Sequence, residues 1–82
     1  MKFNKPFTYI KINSEDECIK LQQYFMSLGY TWLGYGKQIK YINAKFLVLN
    51  KKEMTLMYNN NDKTKYDYTY NDIIMPLLLK GL

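Results

Sequence analysis

Hydrophobic and polar positions first alternate along the chain. Phe7-Thr8-Tyr9-Ile10-Lys11-Ile12 keeps a period of two behind Pro6, which predicts a strand with Thr8, Ile10 and Ile12 turned to the core. The period then changes. Ser14-Glu15-Asp16-Glu17 has the form of a capping box, with Ser14 at the N-cap and Glu17 three residues on. Cys18, Leu21, Phe25 and Leu28 follow at helical spacing, widened by Ile19, and Gly29 stands where a left-handed residue would end the helix. A helix over 14–28 is the strongest local expectation.

Beyond it the strand period returns. Residues 30–35 and 38–42 read as paired strands around a Gly36-Lys37 turn, so that Trp32, Tyr35 and Tyr41 lie on neighbouring strands. Phe46-Leu47-Val48-Leu49 is continuously apolar, as a central strand should be, and Met54-Thr55-Leu56-Met57-Tyr58 follows a polar turn. Tyr66-Asp67-Tyr68-Thr69-Tyr70 alternates again, as an edge strand or an extended arm with three tyrosines on one side. Pro76 restricts the helical segment after Asn71-Asp72 to a turn or two, closed by Gly81. The expected fold is α+β: one N-terminal helix on an antiparallel sheet of four to five strands, with a short C-terminal helical turn, forming a single domain over residues 1–82.

A chain of 82 residues, 48% of them hydrophobic, makes a folded but shallow core, since a domain this small buries about 60–65% of its unfolded surface. There is no histidine, and Cys18 is the single cysteine. Histidine acid–base catalysis, His or Cys metal cages, internal disulfides and Ser-His-Asp or Cys-His nucleophiles are therefore excluded. The acids Glu15, Asp16 and Glu17 are accounted for by helix capping, and Glu53, Asp62, Asp67 and Asp72 are scattered through turns. No catalytic residue, metal site or cofactor is expected. The longest apolar run, residues 73–79, is far short of a bilayer span and is broken by Pro76. Together with five methionines and one free cysteine, this points to a cytoplasmic protein with no membrane partner.

The net charge of +5 suggests an anionic partner, but all 12 basic residues are lysines. Lys, Asn, Ile, Tyr and Phe, all with A/T-rich codons, make up 40 of the 82 residues, so genome composition alone accounts for much of the lysine. The aromatic residues are more informative. Trp32, Tyr35 and Tyr41, interleaved with Lys37 and Lys40, combine the stacking faces and charge that a nucleic acid or a nucleotide requires. The competing structural account makes Trp32 a core anchor flanked by its tyrosines. Tyr66, Tyr68 and Tyr70, on a polar-flanked strand, are the candidate protein-binding face, because tyrosine is enriched at interfaces and an edge strand can pair with another chain.

The succession of strand, capped helix and Leu28-Gly29-Tyr30-x-Trp32 opening further strands resembles a loose group of small phage-encoded accessory proteins, over roughly residues 7–58. The resemblance implies a non-catalytic inhibitor that blocks a host defence or regulatory protein stoichiometrically in the bacterial cytoplasm, or else a ligand sponge. It transfers no active-site residues. The leucine tail, residues 77–79, adds an expectation of homo-oligomerisation.

Overall fold

The computed structural model describes residues 5–80, with the Lys80 side chain excepted; the Gly81 stop lies outside them. The order of elements is β1 (Phe7–Lys11), α1 (Glu15–Ser27), β2 (Thr31–Trp32), β3 (Phe46–Asn50), β4 (Thr55–Asn59), β5 (Tyr68–Thr69) and α2 (Tyr70–Lys80). The five strands form one sheet in the order β2-β4-β3-β1-β5. The fold is α+β, as expected, but the sheet is mixed. β3 pairs antiparallel with β1 and β4, whereas β2 joins β4 and β5 joins β1 in parallel.

α1 begins and ends by local chemistry. Ser14 is extended, and its hydroxyl accepts the Glu17 amide at 3.2 Å, while the Glu17 carboxylate accepts the Asn13 amide at 3.0 Å. At the other end the Gly29 amide donates to the Met26 carbonyl and the Tyr30 amide to the Phe25 carbonyl. This is a Schellman motif, and it requires the positive φ of 105° that Gly29 adopts. Phe25 and Tyr30 meet edge to face at 5.7 Å, which supplies the apolar contact of that motif.

The register places Thr8, Ile10, Leu47, Leu49, Leu56 and Trp32 on one sheet face. Against it pack Cys18, Leu21, Phe25 and Met26 of α1 and Ile73 of α2, forming one buried cluster. The buried stripe of α1 includes Gln22 and Met26 but not Leu28, which is half exposed. β3 is the central strand, with Phe46 through Leu49 all buried.

Three sequence expectations are corrected. Residues 38–42 form no strand. The chain turns back immediately after Trp32, with the Tyr35 and Gly36 amides donating to the Trp32 carbonyl and the Trp32 amide to the Gly36 carbonyl. That closed turn, with Gly34 at φ 84°, uses the backbone groups a hairpin would need. The C-terminal turn is instead an 11-residue helix running through Pro76. A second capping box fixes its start: the Thr69 amide donates to the Asp72 carboxylate at 2.8 Å, and the Asp72 amide donates to the Thr69 hydroxyl at 3.4 Å. Pro76 then forfeits one backbone bond, to the carbonyl of the exposed Asp72. Finally, Tyr66, Tyr68 and Tyr70 do not form one presenting face. β5 holds only Tyr68–Thr69, Tyr70 starts α2, and Tyr68 and Tyr70 pack against the core.

Asp67 fastens this last segment to β1. Its carboxylate accepts the Tyr9 amide at 2.9 Å and the Lys5 ammonium at 2.5 Å, while its own amide donates to the Tyr9 carbonyl. Lys5, and then the Tyr9 amide, hold the Asp67 carboxyl below its ordinary value of 3.8. A lowered folded-state value means that the stabilisation is present above the unfolded value and is lost as pH falls through the folded one. The urea midpoint of the wild type should therefore fall more steeply between about pH 5 and pH 2 than that of Asp67→Asn. Parallel pH profiles would show that Asp67 does not couple β5 to stability.

Candidate functional site

Between β2 and β3 the chain makes a long irregular excursion, residues 33–45, lying over the helix-covered side of the sheet edge. A single buried amide holds it there. Gln22 has no exposed surface. Its Oε1 accepts the Trp32 indole N–H at 3.0 Å and the Lys40 amide at 2.9 Å. Its Nε2 donates to the Lys40 carbonyl at 2.5 Å and to the Cys18 sulfur at 3.2 Å. Both lone pairs and both N–H groups are thus used, the full capacity of a primary amide. The Cys18 thiol in turn donates to the Tyr41 carbonyl at 3.5 Å. Burial raises the thiol pKa, with Gln22 pulling weakly the other way, so Cys18 stays protonated in this role.

These bonds seat Tyr41. Its ring meets Trp32 at 5.0 Å edge-on and stacks on Tyr58 at 4.3 Å, with the planes inclined by 22°. The backbone of Tyr41 has φ 52°, a left-handed conformation that costs a residue with a Cβ about 1–2 kcal/mol. The two rings and the hydrogen bond to its carbonyl keep it there. The Tyr35 and Tyr41 phenols are neighbours, and the Lys40 ammonium lies over the Tyr35 ring, 4.3 Å from its centre. Burial, with the neighbouring Tyr35 and Tyr58 phenols, raises the Tyr41 pKa above its ordinary 10, so the group is uncharged at neutral pH.

Trp32, Leu33, Tyr35, Tyr41, Met57 and Tyr58 line a cleft of about 250 Å³. Trp32 forms its buried floor, whereas Tyr35, Tyr41 and Tyr58 are each 42–45% exposed. The volume falls below the ~300–1,000 Å³ of sites for drug-sized ligands, so the cleft suits a single ring system. β2 pairs only with Thr55 and Leu56, which leaves Met57–Asn59 without a strand on their outer side among the described residues.

Of the five residues of the lysine–aromatic set, Trp32, Tyr35 and Tyr41 line the cleft, and Lys40 stands beside it over the Tyr35 ring. Lys37 is exposed on the same excursion and does not line the cleft. Sequence reasoning missed Gln22 and Tyr58. Gln22 carried one signal, a polar residue one position beyond Leu21 on the buried arc of the helix; Tyr58 carried none beyond its strand. Of the tyrosine set, only Tyr66 is exposed, beside the Phe46 ring at 6.3 Å and under the Lys11 ammonium at 5.4 Å. Among the described residues no three His, Cys, Asp or Glu side chains come together as a metal site, and no helix is long and apolar enough to cross a membrane. No family model, no curated protein and no solved structure matches this chain.

Replacing Gln22 with Leu leaves the buried Trp32 indole N–H and both half-buried Lys40 backbone groups without these partners, at about 1–3 kcal/mol for each group that stays dry. Gln22→Leu should lower the urea midpoint and shift the emission of Trp32, the single tryptophan, towards the red as the excursion loosens. An unchanged midpoint and spectrum would show that Gln22 does not organise the cleft.

Proposed function

We propose that this chain is a non-catalytic binding protein whose aromatic cleft takes a nucleotide-type ligand, a planar base joined to phosphate. The observation that carries this reading is the convergence of Tyr35, Tyr41 and Tyr58 on one cleft with Lys40 at its side, held by bonds that exist before any ligand arrives. The exposed rings supply stacking surface, worth about 1–3 kcal/mol per base. Lys40 supplies the charge for phosphate, and no carboxylate lines the cleft to oppose it. Trp32, with its N–H already satisfied by Gln22, is an apolar floor.

A second reading, a phage-type inhibitor that blocks a host protein in the bacterial cytoplasm, is favoured by the face of the sheet that neither helix covers. Phe7, Met57 and Tyr66 are exposed there around the buried Val48, an arrangement suited to protein contact. In that case Tyr66 makes the contact, and Tyr68 and Tyr70 support it from the core. The exposed Met75 and Leu77–Leu79 of α2 would favour self-association in either case.

Titration of Trp32 fluorescence with nucleoside monophosphates, and with the matching nucleosides, separates the two. Nucleotide binding predicts saturable quenching that weakens with added salt for the monophosphates. Tyr35→Ala should reduce affinity about five- to a hundredfold, the equivalent of about 1–3 kcal/mol of stacking, and Lys40→Ala should remove most of the preference for monophosphate over nucleoside. Absence of quenching by every nucleotide, alongside a complex with a host protein in fixed ratio that Tyr66→Ala abolishes, would decide for the inhibitor.

A further inference from the structure

We infer that the ligand of the cleft is a single strand of nucleic acid that continues past it around the end of the sheet to a second aromatic–lysine pair, Tyr66 with Lys11. The inference rests on the nucleotide reading of the cleft and extends it. Tyr41 and Tyr58 are shared between the cleft and an adjoining concavity of about 390 Å³, which also carries Asn43 and Asn60. Asn43 leads into a third concavity of about 270 Å³ that reaches Lys45 and Ile12. Those two residues also border a fourth, of about 260 Å³, whose far wall is Lys11 and Tyr66. Each depression thus shares lining residues with the next, so the four lie side by side. They follow the end of the sheet where β1 and β4 finish and β3 begins.

The chemistry along this track matches a strand. Each end is a tyrosine ring with a lysine over it, at 4.3 Å for Tyr35–Lys40 and 5.4 Å for Tyr66–Lys11. Between them lie the amides of Asn43 and Asn60 and the ammonium of Lys45. Stacking platforms joined by a positive, hydrogen-bonding groove are how proteins hold single strands without reading their sequence. From β2 to β1 is three strand spacings, about 14 Å, which spans about four stacked nucleotides at about 3.4 Å each. Two carboxylates border the track, Glu15 at the start of α1 and Asp62. Asp62 is paired with Lys45 and so masks the central charge, which a phosphate would have to displace.

The test is a binding series running from thymidine monophosphate to oligothymidylates of up to about ten nucleotides, with oligouridylates in parallel to distinguish RNA from DNA. Affinity should rise at least about tenfold over the monophosphate by about four nucleotides and then level off. Lys11→Ala, Lys45→Ala and Tyr66→Ala should each weaken the longer strands about three- to tenfold and leave the monophosphate unaffected. Asp62→Asn should tighten the strands by unmasking Lys45. Monophosphate binding with no gain in length, or strands indifferent to all four substitutions, would overturn the inference while leaving the cleft a nucleotide site. Failure of monophosphate and strands alike would overturn both.

Discussion

The Gln22 side-chain amide is the interaction on which the functional half of this molecule depends. A long connection between two strands has no backbone ladder of its own, so its position must come from side chains. Here one amide, buried in the middle of α1, takes the N–H and C=O of Lys40 as a strand would and fixes the Trp32 ring at the same time. A buried polar group is costly when half satisfied and specifying when fully satisfied, and Gln22 is of the second kind. Its bonds put Tyr41 between Trp32 and Tyr58 and thereby create the cleft.

The remainder of the fold is ordinary two-layer packing made to serve that arrangement. β3 carries the load of a small core, pairing on both sides and burying four consecutive apolar residues. α1 is delimited at both ends by hydrogen bonds local in sequence, which fix the turn of the helix that presents Gln22. The two parallel edge strands are only two residues long. β2 ends where the tight turn after Trp32 begins, and that is why the edge of β4 beyond Leu56 opens into the cleft rather than into more sheet.

Local signals were legible in the sequence and long-range ones were not. The Ser14–Glu17 cap, the Gly29 stop, the alternating β1 and the apolar β3 all announce themselves within a few residues, and the structure bears them out. The hairpin expected over 30–42 failed because alternation there reflects partial burial of an irregular segment, and periodicity does not distinguish that from a strand. Parallel pairing of β2 and β5 was invisible, since register between distant segments leaves no local trace. Pro76 misled because the Thr69–Asp72 box, which starts α2 before the proline, passed unnoticed. The lysine–aromatic set was legible as a grouping. The way it is assembled was not, because a glutamine next to an apolar stripe reads as surface.

A cleft organised before its ligand binds loses little freedom on binding, and a protein of this size, with few interactions to spare, gains most from that economy. Whether the organisation exists in solution is measured directly by hydrogen exchange of the Trp32 indole N–H and the Lys40 amide in the free protein. Both should exchange as slowly as the core amides of β3, because both are held by Gln22 and open only with the fold. Exchange of either at the rate of an unprotected amide, with β3 still protected, would contradict the account, since the excursion would then be loose and the cleft would not exist until something filled it.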